Sequence, residues 1–294
     1  MPLEPTTPDA PNADQAALWS ELFVERWKRF RPIVTAGAAA HSDVALRRHP
    51  PAPGARVLDV GCGFGETSLA LGRAVGPGGA VLGVDLSEPF LAVARQEARD
   101  AALAHVTFRR ADAQTEPFAP EHDLVFSRFG VMFFQDPVAA FANLRGALRP
   151  GGRLLAIVWR RLDENEWAAL PRKIALAHLP PPPDAPAAPR PWPAPGPFSL
   201  SKPDVTRALL KAAGWTAIEL EPIDTEMTVG QTIEEALAYQ LAMGPAGEIM
   251  REAKELAAAK RPAIEQELAK ALRPHATPRG VRLHAASWCL TASP

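Results

Sequence analysis

The chain has 294 residues, with 32 Lys plus Arg against 33 Asp plus Glu and a formal net charge of −1 at neutral pH. That length suits one α/β domain with insertions around a substantial core, and the balanced charge gives no electrostatic reason to expect a nucleic-acid partner or an anionic membrane surface. The only two cysteines, Cys62 and Cys289, lie far apart without metal-ligand spacing, which argues against a disulfide framework or a zinc site, and no stretch approaches the roughly 18 to 20 apolar residues of a membrane span.

Residues 1–15 are rich in Pro and Asp and lack a basic start leading into an apolar run, so they are expected to form a frayed tail rather than a leader. Over residues 14–30, Trp19, Leu22, Phe23, Trp27 and Phe30 recur at helical spacing and predict an amphipathic helix with two tryptophans on its buried stripe. Residues 1–50 are read as this tail plus a helical lid, and residues 51–294 as the main domain. Past a Pro-rich break, residues 56–60 are short, apolar and followed by glycine, the pattern of a buried strand. A regular alternation follows, with helices at 66–75 and 89–98 and strands at 80–84, 106–109 and 124–127. Asp136 and Pro137 are suited to the N-cap and first position of a further helix, which Pro150-Gly151-Gly152 is expected to stop before a strand at 153–159. This rhythm predicts a Rossmann-like, doubly wound, mostly parallel sheet, taken here as seven-stranded.

The second half is less regular. Between residues 180 and 197 proline outnumbers all other residues, predicting a stiff surface loop with polyproline-II character. A helix near 204–213 and a strand near 215–220 resume the alternation; helices at 233–242 and 245–272 follow, the second expected to break or kink at Pro262, and residues 281–291 form a last strand. Cap insertions are therefore placed at about 163–200 and 230–276.

The stretch V-L-D-V-G-C-G-F-G at residues 57–65 lies where a strand turns into a helix. Gly61, Gly63 and Gly65 allow a tight turn and close approach to a ligand. The spacing fits neither phosphate-binding template: Glu66 occupies the last position of G-x-G-x-x-G, and G-x-x-x-x-G-K-[ST] is absent. An acid at that helix N-terminus would repel pyrophosphate. Asp85, at the end of the second strand, can accept hydrogen bonds from both ribose hydroxyls; Asp59 precedes the glycines, and Asp112 follows the third strand where it can meet an exocyclic amine. Three acids and a glycine turn along one sheet edge suit a ligand with an amine, a ribose, an adenine and a positive centre, and S-adenosyl-L-methionine carries all four.

The ordered set D-V-G-C-G-F-G at 59–65, G-V-D-L-S at 83–87, A-D-A at 111–113, H-D-L-V-F-S-R at 122–128 and L-R-P-G-G at 148–152 resembles the core of class I S-adenosylmethionine-dependent methyltransferases. Within that family it is similar to the ubiquinone/menaquinone C-methyltransferase-like branch, whose members act on small molecules. The resemblance covers about a third of the chain. It implies that Asp59 and the glycine loop hold the methionine end, Asp85 with Leu86 the ribose, Asp112 with Ala113 the adenine, and that Ser127 follows at the fourth strand end.

Methyl transfer from a sulfonium needs positioning and desolvation more than a dedicated nucleophile. Phe129, Phe133, Phe134, Trp159 and Trp167 follow the C-terminal ends of the fourth and fifth strands, the ligand-binding edge of such sheets, with core packing as their competing role. Arg128, Arg160 and Asn165 are the polar residues best placed to orient an acceptor; His178 and His275 lie in covering segments. The candidate acceptor pocket thus comprises Trp19, Trp27, Arg128, Phe129, Trp159, Asn165, Trp167 and His178; no catalytic base is assigned and no metal is expected. The chain reads as a cytoplasmic small-molecule methyltransferase without stable membrane insertion, leaving room for a homodimer. Two alternatives stay open: a protein that binds the cofactor without transferring methyl groups, and a nucleic-acid methyltransferase, against which stands the lack of an Asn/Asp-Pro-Pro-aromatic signature at residues 127–130.

Overall fold

Strands β1 (Arg56–Val60), β4 (His122–Arg128) and β5 (Leu148–Trp159) are largely buried and apolar, with Asp59 a buried exception in β1, because both faces of their sheet are covered. In the computed structural model, which describes residues 19, 24–182 and 191–294, alternate residues of one strand feed opposite cores. Leu58, Val125 and Leu154 pack into one cluster, while Val57, Leu124, Phe126 and Leu155 pack into the other. The remaining strands among the described residues are β2 (Ala80–Asp85), β3 (Val106–Arg110), β6 (Thr216–Gly230), the two-residue β7 (Ala276–Thr277) and β8 (Gly280–Ser293). The sheet order is β3-β2-β1-β4-β5-β8-β6, with β7 paired only to β8. The first five strands run parallel, and β8 and β6 run antiparallel to their neighbours. The predicted doubly wound, seven-stranded sheet is therefore present, with a short eighth strand beside it. The strand order reverses between the parallel β1 and β4, opening a crevice at their C-terminal ends where ligands of such sheets bind.

The α-helices among the described residues are α1 (Val24–Arg48), α2 (Glu66–Val75), α3 (Glu88–Asp100), α4 (Pro137–Gly146), α5 (Glu166–His178), α6 (Pro203–Ala212), α7 (Ile233–Gln240), α8 (Gly244–Glu252) and α9 (Lys254–Leu272). Asp136 caps α4 as expected, its carboxylate accepting from the Ala139 N–H at 3.0 Å.

Several boundaries differ from expectation for physical reasons. The N-terminal helix does not end at Phe30; it continues through Pro32 to Arg48, because Ala38, His41, Ser42 and Ala45 form a buried stripe at helical spacing. Their small side chains hide that stripe from a search for large apolar residues. Leu22, Phe23, the tail at 1–15 and the middle of the Pro-rich segment, 183–190, lie outside the described residues. Pro150-Gly151-Gly152 is not what stops α4, which already ends at Gly146; it forms an irregularity at the start of β5, where the pairing with β4 shifts register. β6 runs ten residues past its predicted end, tolerating Pro222 because it lies at the sheet edge. The break in the long C-terminal helical region is at Lys254, with φ +45°, and Pro262 stays inside α9. No described helix is long and apolar enough to cross a membrane.

Candidate active site

At the end of β1 the chain must turn sharply under the crevice. Gly61 takes φ +67°, and a Cβ there would stand 2.8 Å from Gly130 Cα, so the β1 and β4 turns can meet only through glycine. The Gly63 N–H then donates to Asp85 Oδ2 at 2.9 Å, and the Ser87 N–H donates to Asp85 Oδ1 at 2.9 Å. These bonds fix the carboxylate between the two turns and oppose burial, which pushes its pKa above the ordinary carboxylate range. Asp112 is oriented in the same way by the Gln114 N–H, at 2.9 Å.

Gly61, Gly63, Asp85, Leu86, Asp112 and Ala113 line one wall of a cavity of about 650 Å³. Its lining also includes the apolar and aromatic Phe129, Phe133, Trp159, Trp167, Phe198, Met227 and Tyr239. Phe129 is held at φ +62°, a strained conformation for a residue with a Cβ. Its ring stacks on Trp159 with centroids 3.9 Å apart and planes 11° from parallel. The Pro-rich segment contributes through its end: the Gly196 N–H and the Ser199 hydroxyl both donate to the Met132 carbonyl, at 3.0 and 2.7 Å, bringing Pro195, Pro197 and Phe198 to the wall.

Helix α1 passes beside the first turn of α2. Trp27, Arg31, Val34 and Thr35 line the cavity, and Trp19 joins them, edge-on to both Trp27 and Phe133. Arg31 Nε and the Thr35 hydroxyl donate to the same oxygen of Glu66, at 2.9 and 3.0 Å, while Arg31 also reaches Glu97 at 2.6 Å. The Glu66 that excluded a pyrophosphate motif thus anchors the N-terminal helix. Arg128 lies on the same wall, 13% exposed, with Glu66 Oε2 3.9 Å away, and burial lowers its pKa.

Other expected site residues are placed behind the wall. Asp59 is fully buried: its Oδ2 accepts from the Thr67 and Ser68 hydroxyls, at 2.8 and 2.6 Å, tying β1 to the first turn of α2. Gly65 packs against Ala94 and Phe108, and the buried Ser127 hydroxyl donates to the Val60 carbonyl at 2.8 Å. Asn165 is also fully buried. Its amide nitrogen donates to the Arg160, Arg161 and Ala286 carbonyls, and its oxygen accepts from the Ala286 N–H and Trp167 Nε1. It holds the tryptophan in the wall rather than reaching an acceptor. Arg160 is bound to Glu164 and Asp224, His178 pairs with Glu267 at 2.8 Å, and His275 lies 3.5 Å from Glu166; none of the three lines the cavity. Arg31, Thr35, Arg172, Phe198, Met227, Tyr239 and Arg251 line it without having been anticipated. Their sequence contexts carry no motif, so only the folding of distant segments onto one crevice reveals them.

The cavity can accept the cofactor that its residues suggest. The Gly63 Cβ position is open space, giving a ligand close access to the loop, and the Asp85 and Asp112 carboxylates follow along the same edge. Among the described residues there is no group of three or more His, Cys, Asp or Glu able to hold a metal ion.

Comparison with known proteins agrees with this geometry. Residues 57–152 match the family described as "Methyltransferase domain". Nocamycin O-methyltransferase of Saccharothrix syringae is 32% identical over 193 residues, an alignment covering 62% of this chain and 69% of that one. The chain belongs to the S-adenosylmethionine-dependent methyltransferase family. Another relative, the ubiquinone/menaquinone biosynthesis C-methyltransferase UbiE of Shewanella halifaxensis, is 33% identical over 133 residues, 45% of this chain and 47% of that one. Apart from the nocamycin enzyme, this methyltransferase-family chain spans about half the length of the curated relatives it matches. Among solved structures, a phosphoethanolamine N-methyltransferase 2 of Haemonchus contortus superposes with a TM-score of 0.56 at 20% identity, covering 98% of this chain and 61% of that one. At that identity the likeness concerns the fold.

Proposed function

We propose that the chain transfers a methyl group from S-adenosylmethionine to a small, apolar or aromatic acceptor. The observation that carries this reading is the division of one cavity into a wall of glycine turns and strand-end acids and a wall of aromatic side chains. The bound cofactor would supply an electrophilic methyl group on a sulfonium. Asp85 and Asp112 would hold its ribose and adenine, and the backbone of residues 61–63 its methionine end. On the facing side, the Phe129–Trp159 stack presents aromatic faces that keep water out and favour a nearby cation, by roughly 0.5 to 2 kcal/mol. Burial pushes the pKa of Tyr239 upward, so its hydroxyl stays protonated and can donate a hydrogen bond to an acceptor oxygen. Helix α1, bound through Arg31 and Thr35 to Glu66, would act as the lid over the cofactor.

The relatives named for nocamycin, demethylmenaquinone and aklanonic acid support acceptors of this size and character. The test is turnover. Purified protein incubated with methyl-labelled S-adenosylmethionine and a metabolite extract should move label into a small organic product and form S-adenosylhomocysteine in equal amount. Binding of S-adenosylhomocysteine by calorimetry with no transfer to extract, quinone or polyketide acceptors would replace this reading with that of a cofactor-binding protein.

A further inference from the structure

Most charges on the cavity wall have an identifiable counter-charge. Arg31 is bound by Glu66 and Glu97, Arg128 faces Glu66, and Arg251 feels Glu248 and Glu252 alongside the like charge of Arg26. Arg172, on the middle of α5, differs: its side chain makes no hydrogen bond or ion pair with any described residue. It is half-buried, and together with Leu162 and Phe198 it belongs to two surfaces at once, the aromatic cavity and an open groove on the outside of the molecule. The groove's other cations include Lys173 and Lys202, whose side chains likewise have no acidic partner among the described residues. Among the described residues the one acid that lines it, Asp163, is already bound by Arg161 at 2.5 Å. Among the described residues, the rim shared by the cavity and the groove therefore carries unneutralised positive charge, although the whole chain carries a net charge near zero.

A molecule whose ring body fills the aromatic chamber can place its polar end at this shared rim, against Arg172. A guanidinium lacking a protein carboxylate, with planar N–H donors, is suited to bind an oxyanion there. We propose that the acceptor is an organic anion, with an apolar ring body in the chamber and a carboxylate-type group at Arg172. The proposal deepens, and rests on, the reading that the aromatic half of the cavity holds the acceptor. Arg172 is in this view a specificity-determining residue with no part in the transfer chemistry, and Lys173 and Lys202 raise the local concentration of anions at the entrance.

Two fluorescent probes that differ only in charge test this. 8-Anilinonaphthalene-1-sulfonate and N-phenyl-1-naphthylamine share one aromatic body, and only the first carries an anionic group. Each is titrated into protein saturated with S-adenosylhomocysteine, whose own binding is followed by calorimetry. In Arg172→Gln the sulfonate should bind about tenfold more weakly, as expected for loss of a charge-assisted hydrogen bond. The neutral probe should stay within twofold, and Arg172→Lys should fall between wild type and Arg172→Gln for the sulfonate. Unchanged sulfonate affinity in Arg172→Gln, or equal weakening of both probes, would overturn the proposal. So would a loss produced only by the Lys173→Gln/Lys202→Gln pair. Failure of the protein to bind S-adenosylhomocysteine would instead count against the methyltransferase reading, and the probe titration without it still decides whether Arg172 selects anions. If Arg172→Gln does not fold, the Arg172→Lys comparison decides the matter by the same rule.

Discussion

The two halves of the cavity are built in opposite ways. The cofactor half comes from short turns at three adjacent strand ends, and its polar groups are positioned by backbone N–H bonds no more than 22 residues distant, such as Gly63 to Asp85. The acceptor half is assembled from the β4 and β5 ends, α5, the end of the Pro-rich segment and the α7–α8 turn, which meet only in the folded chain. A ligand shared by a family can be held by backbone geometry, which constrains residue identity strongly. A ligand particular to one enzyme is held by side-chain shape, which constrains identity weakly. If so, perturbing one half should leave the other largely intact.

The largest expected effect lies in the acceptor half. Asn165→Ala would delete one buried side chain that makes five hydrogen bonds, leaving the Ala286 N–H and Trp167 Nε1 without their acceptor. Urea denaturation should show a loss of about 3 kcal/mol, in the range for breaking a buried network. The folded fraction should still bind S-adenosylhomocysteine within twofold of wild type. Cofactor affinity falling in step with stability would show that the halves are one cooperative unit.

Asp85→Ala makes the reciprocal test. The carboxylate is oriented by two backbone N–H groups, and charge-assisted bonds to a held partner contribute roughly 1.5 to 3 kcal/mol. The dissociation constant for S-adenosylhomocysteine, measured by calorimetry, should rise roughly 10- to 100-fold. Asp112→Ala should have the smaller effect. An unchanged constant in a folded Asp85→Ala protein would remove the ribose role from this residue.

The same contrast explains what the sequence made legible. The parallel strands, the glycine turn, Asp85, Asp112 and the Asp136 cap could be read because backbone geometry demands particular residues there. Asp59, Ser127 and Asn165 sit beside the cavity in sequence yet behind its wall in space, because a buried polar side chain and a ligand-facing one share the same one-dimensional pattern. Arg31 and Thr35 lie one and two turns beyond Trp27 on the same face of α1, but no local motif announces that this face meets Glu66. Trp167 was identifiable as an aromatic residue beyond β5, but nothing local reveals that Asn165 aims it.

The smallest expected effect concerns His41, which joins the halves. This fully buried ring on α1 bonds Ser287 Oγ through Nδ1 at 2.8 Å and packs edge-on to Phe129 and Trp159, with centroids 5.6 and 5.0 Å away. Burial, aided by the charge of Arg128 and to a smaller extent by His284, pushes its pKa from 6.5 down to about 4, against the support that Asp224 gives the charged form. Between pH 4 and 6.5 the unfolded chain therefore binds a proton that the folded chain does not, so this residue's contribution to stability falls as pH falls through that window. Asp59 acts in the opposite direction: burial raises its pKa from 3.8 to about 6 despite the Ser68 and Thr67 hydroxyls, so the folded chain holds the extra proton and stability falls as pH rises toward 6. The two slopes oppose each other and mask the histidine in the wild-type profile. Subtracting the profile of His41→Gln cancels Asp59 and isolates it. The stability of wild type relative to His41→Gln should increase by on the order of 1 to 2 kcal/mol between pH 5 and pH 7, read from urea midpoints at matched ionic strength. A difference independent of pH would mean that the ring is not held neutral, and that the Phe129–Trp159 wall is open enough to hydrate a charge behind it.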